Sequence, residues 1–186
     1  QIFTRQGKPG FHPYASATVG SERWRQWTGG FTGGQGGWTW ALGLQQLRER
    51  GLSSTNPKVQ FGNFNPDLDP FTQDALNASV ALQISPGWRA YASLLYSDGV
   101  SHFDDGPGVD ARSAVRVATL QAGIQGRLTP GWQTGLRFAQ GTDTSNVITA
   151  VTPGAFKTQQ DQWTWQNDID TPLGLLLAGL EHREQK

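Results

Sequence analysis

The sequence contains no cysteine and no methionine among its 186 residues. The lack of cysteine excludes disulfide bonds, thiolate metal sites and cysteine nucleophiles. The lack of methionine means that Gln1 is not a translation start, and we expect the chain to be part of a longer precursor. Fifteen Lys and Arg residues balance fifteen Asp and Glu residues, so the charge gives no basis for binding nucleic acid.

Long hydrophobic runs are also missing. The longest, LGLLLAGL at 173–180, is far shorter than the ~18 residues that a membrane-spanning helix needs. Glycine and tryptophan are abundant instead, with 24 and 8 residues, which is typical of a turn-rich β protein. The mean hydropathy of −0.48 is compatible with a membrane β-barrel, because every second strand residue of a barrel faces its lumen.

Turn signals divide the sequence into strands joined by alternating short and long connections. The short connections are 33–37, 85–87, 129–131 and 170–172, and the long ones are about 50–73, 97–112 and 142–156. This alternation predicts an antiparallel up-and-down meander with all short turns at one end. The predicted strands are 11–21, 24–32, 38–49, 75–84, 88–96, 114–128, 132–141, 157–169 and 173–183.

The predicted strands alternate between apolar and polar residues. Leu76, Ala78, Val80, Leu82 and Ile84 share one face of their strand, a period of two that leaves Asn77, Ser79 and Gln83 on the other. The strands exceed the ~5–6 residues usual in soluble proteins and match the ~9–11 of a tilted membrane strand. The fold class predicted is therefore an all-β transmembrane barrel, of which about eight or nine strands are present.

A repeated phrase, Pro-Gly-Trp, begins at Pro86 and again at Pro130. A tryptophan directly follows three of the short turns, at Trp38, Trp88 and Trp132. The alternation places these side chains on the apolar face of their strands, which predicts an aromatic girdle at the headgroup level of a membrane. The alternative is that these rings pack into the core of a soluble protein.

Two groups of residues suggest other chemistry. The segment SHFDD at 101–105 contains the residue types of a hydrolase triad, but no nucleophile elbow surrounds Ser101, and we predict no enzymatic activity. The alternation places three arginines on the polar face of their strands. They either bind an anionic ligand or pair with nearby carboxylates, and the sequence leaves both alternatives open. They are Arg89, Arg127 and Arg137.

Acidic residues cluster in two consecutive long connections. Seven of the fifteen carboxylates lie in these connections or directly beside them, at Asp67, Asp69, Asp74, Asp98, Asp104, Asp105 and Asp110. Calcium takes 6–8 oxygen ligands from flexible loops, and Asp67-x-Asp69 is a common beginning of such a site. We predict Asp67, Asp69 and Asp98 as ligands, with Asp104 as a fourth. The alternative is a solvated acidic loop.

The sequence resembles a known family in three segments. QIFTRQGKPG, at 1–10, is similar to the end of the plug domain of TonB-dependent outer-membrane receptors, which would make 11–186 barrel strands with extracellular loops. FGNFNPDLDPFTQDALNASVALQISPGW, at 61–88, is similar to the second upper loop and next strand of the cobalamin-receptor subgroup, although Pro70 stands where the motif usually has Gly. WRAYASLLYSDG, at 88–99, resembles the following strand.

The resemblance implies a function and a location. It implies part of a receptor in the bacterial outer membrane that takes up a scarce nutrient, either cobalamin or an iron-siderophore chelate. It also implies contact with outer-membrane lipid, calcium in the extracellular loops, and coupling to TonB through a region N-terminal to Gln1. Two alternatives remain at this point: a small self-contained outer-membrane barrel with an adhesive or enzymatic role, and a soluble β-binding module.

Overall fold

The computed structural model of the chain describes residues 7–186, apart from the side chain of Phe61. Most of the predicted plug segment, residues 1–6, lies outside the described residues. The rest forms one antiparallel sheet whose nine strands pair in chain order, which confirms the predicted all-β up-and-down meander. The strands are β1 (Gly10–Val19), β2 (Arg25–Gln35), β3 (Trp38–Glu49), β4 (Phe71–Ser85), β5 (Trp88–Phe103), β6 (Ala111–Thr129), β7 (Trp132–Ile148), β8 (Gly154–Thr171) and β9 (Gly174–Gln185).

Several strands are longer than predicted at the end with the long connections. The predicted connections 50–73, 97–112 and 142–156 shrink to 50–70, 104–110 and 149–153. In β5, for example, pairing with β6 continues through Asp98↔Arg116 to Phe103↔Ala111. The prediction ended these strands where their side chains become polar, but the backbone ladder does not depend on side-chain polarity. No helix within 7–186 is long and apolar enough to span a membrane.

The repeated Pro-Gly-Trp phrase forms the same hairpin twice. Gly87 and Gly131 have φ angles of +89° and +81°, the conformation that a type II turn requires after proline. Each turn is preceded by a register shift, at 83/85 in β4 and at 127/129 in β6. The carbonyls of Gly87 and Gly131 then accept hydrogen bonds from the backbone N–H groups of Arg127 (3.0 Å) and Asp170 (2.7 Å) in the next hairpin.

The two faces of the sheet differ in chemistry, as the alternation predicted. One cross-strand row pairs Val80, Ala92, Ala122, Phe138 and Trp163. The adjacent row, on the opposite face, pairs Ser79, Ser93, Gln121, Ala139 and Gln162. We call these the apolar face and the polar face.

The sheet is a single layer without a second layer over its apolar face. Buried apolar residues in the described part of the chain are only three small ones, Ala41, Ala81 and Ala111. Large side chains such as Leu120 remain 46% exposed on the apolar face. The sheet is not closed, because β1 and β9 each pair with one strand only.

Seven of the eight tryptophans lie in strands, and the strand pairing places all seven on the apolar face. Trp24 is in the turn between β1 and β2. Trp88 lies across its β6 neighbour Gly126, where a side chain would collide with the indole ring. Trp132 donates its indole N–H to the Asn167 Oδ1 at 3.0 Å. The tryptophans at 27, 38, 40, 88, 132, 163 and 165 therefore mark the apolar face.

Candidate functional site

The connection between β3 and β4 folds back on itself beside the sheet. The Asp69 N–H donates to the Leu52 carbonyl at 3.1 Å. Gly51 has φ +69°, and a Cβ there would collide with the backbone of Asp69. Glycine at this position thus lets residues 51 and 69 come together at the base of the connection.

Asp104, the first residue after β5, holds this connection to the next one. Its Oδ2 accepts hydrogen bonds from the Ser53 hydroxyl (2.9 Å), the Thr55 N–H (2.9 Å) and the Thr55 hydroxyl. The Asp104 N–H donates to the Ser54 hydroxyl at 3.0 Å. One buried aspartate therefore organises the whole 53–55 segment.

Other polar contacts join the three larger connections into one unit. The buried Asn65 accepts a hydrogen bond from the Gly108 N–H at 3.1 Å. Asp105 accepts one from the Ala150 N–H at 2.7 Å, which reaches the connection between β7 and β8. The connections 50–70, 104–110 and 149–153 are thus cross-linked by side-chain hydrogen bonds.

Three aspartates converge in this unit. One carboxylate oxygen from each of Asp67, Asp69 and Asp104 lies within 4.8 Å of the others. Asp104 is only 7% exposed, and its Oδ1 is buried with no hydrogen-bond partner. At this separation two negative charges repel by about 1 kcal/mol in bulk water and by more near a protein. The cluster therefore combines mutual repulsion with an unsatisfied buried acceptor, and a cation bound there would relieve both.

The pKa of the Asp104 carboxyl is held below its ordinary value. Burial opposes its ionisation, but the hydrogen bonds from Thr55 and Ser53 to the charged form outweigh that effect. Asp104 is consequently a carboxylate at neutral pH, the form in which it can bind a metal ion.

Asp98, predicted as a third ligand, does not join this cluster. It lies within β5 and accepts hydrogen bonds from the Arg116 guanidinium, at 2.6 Å and 2.9 Å. The Tyr96 hydroxyl also donates to it at 3.2 Å. The sequence did carry a signal for this pairing, because Arg116 lies directly opposite Asp98 once β5 is continued past Tyr96.

Three of the remaining acidic residues have other partners. Asp74 pairs with Arg48 at 2.8 Å. Asp110 pairs with Arg112 at 2.8 Å and lies 3.0 Å from the His102 Nδ1. Asp105 is engaged by Ala150, as described above. Of the seven clustered carboxylates, only Asp67, Asp69 and Asp104 come together.

The SHFDD segment does not form a catalytic triad. Ser101 and His102 are consecutive residues of β5, so their side chains point to opposite faces. His102 contacts Asp110, while Asp104 is occupied by Ser53 and Thr55.

A second candidate site is a hollow of about 420 Å³ on the polar face, near the two-residue turns. The three arginines singled out from the sequence all line it: Arg89 from β5, Arg127 from β6 and Arg137 from β7. Ion pairs described within residues 7–186 involve none of the three. Of the two alternatives left open by the sequence, pairing with neighbouring carboxylates is therefore not observed.

Comparisons with protein-family models and with curated proteins find no match for this chain.

Proposed function

We propose that this chain forms part of the wall of a bacterial outer-membrane receptor of the TonB-dependent type, which takes up a scarce nutrient. The observation that carries the proposal is the division of one long-stranded meander into an apolar and a polar face, with tight turns at one rim and cross-linked connections at the other. A barrel wall in the outer membrane has this arrangement.

The apolar face has dimensions suited to lipid. In β4 it runs from Leu76 to Ile84, and in β5 from Trp88 to Tyr96, close to the ~9–11 residues of a tilted membrane strand. Beyond this stretch the same face becomes charged at Asp74 and Asp98, which pair with arginines. Such a change from apolar to ion-paired residues is expected where the hydrocarbon ends.

The open edges favour a larger barrel over a small self-contained one. Single-chain bacterial barrels have an even number of strands, and an unpaired strand edge is not tolerated in lipid. Because the outer edges of β1 and β9 have no partner within residues 7–186, a barrel wall of this kind needs further strands beside them. In this proposal TonB acts through a region N-terminal to Gln1.

Calcium is the proposed ligand of the Asp67–Asp69–Asp104 cluster. Each of the three carboxylates offers a hard oxygen ligand of the kind that calcium prefers, and the Oδ1 of Asp104 is without a hydrogen-bond partner. Because these aspartates come from two connections, calcium would hold 50–70 against 104–110. The proposed nutrient, cobalamin or an iron-siderophore chelate, would then meet ordered connections at this rim.

The calcium site is tested by isothermal titration of the detergent-solubilised chain. We expect a dissociation constant in the range of extracellular sites, ~10⁻⁴–10⁻³ M. Replacing both Asp67→Asn and Asp69→Asn should abolish the binding heat. Asp98→Asn is the matched control and should leave it unchanged, because Asp98 is bound to Arg116. Equal heats in the double variant and the wild type would contradict the site.

The receptor function is tested by titrating the same calcium-loaded chain with cyanocobalamin and with a ferric siderophore. Calorimetry reports the binding, since seven of the eight tryptophans lie on the apolar face, away from the proposed ligand. We expect saturable binding of one of the two ligands that weakens when calcium is chelated. Absence of saturable binding to both would contradict the proposed nutrient class.

A further inference from the structure

We propose that the hollow lined by Arg89, Arg127 and Arg137 is a binding site for a small, multiply charged oxyanion, either a polycarboxylate or a phosphate compound. The proposal rests on the proposed function only in taking the polar face as the barrel interior. We call this hollow the arginine hollow.

Neighbouring strands place the three arginines around one space. Arg89 lies opposite Gln125 in β6, and Arg127 lies opposite Gln133 in β7. Arg137 lies one row further along, opposite Gly123. Since alternate residues of a strand share a face, all three side chains are on the polar face of three adjacent strands.

Small residues and one aromatic ring shape the arginine hollow. Gly135 lines the hollow and Gly123 lies between Tyr91 and Arg137 in the same cross-strand row; neither contributes a side chain to the polar face, which leaves room between the longer residues. Tyr91 lies across Gly123, where a Cβ would come within 2.7 Å of its ring and hydroxyl. The volume of about 420 Å³ falls in the range of small-molecule sites, ~300–1,000 Å³.

The charges around the arginine hollow are unbalanced. Asp168 is the one carboxylate among its described lining residues, and its Oδ1 accepts a hydrogen bond from Gln166 at 2.9 Å. Glu181, opposite Thr164 on the same face, is paired with Arg183 at 2.7 Å. Three guanidinium groups thus line the hollow with one carboxylate, and Glu181, which is shared between Arg183 and a longer-range attraction to Arg137, lies beside it.

Four arginines elsewhere in the described chain are paired with carboxylates. Arg48, Arg112, Arg116 and Arg183 each contact a carboxylate within 3 Å. In the arginine hollow, the one side-chain hydrogen bond from an arginine is the long contact from the Arg137 Nη2 to the Thr164 hydroxyl, at 3.4 Å. Most of the guanidinium donors therefore remain available to a ligand.

This donor set selects the chemistry of the ligand. A guanidinium presents a planar fork of N–H groups that matches the paired oxygens of a carboxylate or phosphate. Three converging forks favour an anion with at least two negative charges over a monovalent one. The nearby tyrosine and glutamines can donate to its remaining oxygens.

The experiment is a calorimetric titration of the solubilised full chain with pyrophosphate and with malonate. We expect both to bind, and each of Arg89→Gln, Arg127→Gln and Arg137→Gln to weaken binding about tenfold or more, since a charge-assisted hydrogen bond contributes enough for that factor. Arg25→Gln, the same change on the apolar face, is the control and should have no effect. Arg89→Lys, which keeps the charge and loses the fork, should give an intermediate affinity.

Three outcomes would overturn the site. The first is no binding heat with either anion. The second is equal weakening by Arg25→Gln, which would indicate a general charge effect. The third is binding of an oligo-aspartate peptide without binding of pyrophosphate or malonate, which would assign the hollow to an acidic protein segment.

A separate readout keeps the membrane proposal distinct from this one. Circular dichroism of the same sample, with and without detergent, reports whether the sheet needs an amphiphile to fold. A sheet that folds in buffer alone would contradict the membrane proposal, and the anion titration would then be run in buffer with the same criteria.

Discussion

Asp104 shows how much of this rim depends on one side chain. One of its carboxylate oxygens takes three hydrogen bonds from Ser53 and Thr55, and the other is buried without a protein partner. The first oxygen holds the two connections together. In the proposed calcium site, the second oxygen would be the one free to bind the ion.

Replacing Asp104→Asn should loosen the connection between β3 and β4. The asparagine side chain has the shape of aspartate but carries no charge. Its NH₂ group at the position of Oδ2 would meet the Thr55 N–H, which needs an acceptor there. We expect the opening free energy of the Ser53–Thr55 amides to fall by about 1–3 kcal/mol, the cost of unsatisfying a buried polar group. Hydrogen exchange measures this change. Asp105→Asn, whose described contact is to Ala150, should leave those amides protected.

The order of the same segment should depend on pH. Because folding lowers the pKa of Asp104, its contribution to stability is fully present above the ordinary aspartate pKa and is lost as the pH falls through the lower folded value. We expect the Thr55 amide resonance to titrate with a midpoint below the pKa of an ordinary aspartate. A midpoint at or above that value, or an unchanged titration in Asp104→Asn, would contradict the assignment.

Strands and turns are the level at which the sequence was most informative. The period of two located all nine strands, and the Pro-Gly-Trp phrase located two hairpins. The sequence could not show that β5 and β7 continue through polar residues. Polar side chains there indicate the surroundings of the strand, whereas the backbone hydrogen bonds that continue the strand do not depend on side-chain polarity. Asp98 was placed in a loop for that reason, whereas Arg116 holds it within the sheet.

The convergence of Asp67, Asp69 and Asp104 was only partly predictable. Asp67-x-Asp69 is visible as a local motif, but Asp104 joins it through hydrogen bonds between connections far apart in sequence. The arginine hollow is similar. The strand parity placed its arginines on one face, and only the register between strands shows that they surround one space.

The two faces of β4 should respond oppositely to a new charge. Val80 lies midway along the apolar stretch from Leu76 to Ile84, and its neighbour Ser79 lies on the polar face. We expect Val80→Arg to destabilise the sheet in lipid vesicles by about 2–4 kcal/mol, the cost of arginine near a bilayer midplane.

Ser79→Arg is the matched control and should cost much less, because its side chain is on the polar face. Urea unfolding in vesicles, followed by tryptophan fluorescence, compares the two variants. Equal destabilisation by both would mean that the apolar face does not contact lipid.

At the scale of the whole molecule, the sheet is a surface without a core. Many of its large apolar side chains are exposed, and Leu173 beyond β8 is fully so. A soluble β protein buries such a face against a second layer, which residues 7–186 do not provide. An apolar face of this extent requires a cover, and lipid matches both its strand length and its aromatic residues.

The tryptophans allow the central claim to be tested directly. All seven strand tryptophans are on the apolar face, so their fluorescence reports what that face contacts. The measurement is quenching of the chain in lipid vesicles by brominated acyl chains and, separately, by acrylamide in the water. Our account predicts strong quenching by the brominated lipid and weak quenching by acrylamide. Strong acrylamide quenching with no effect of brominated lipid would contradict it.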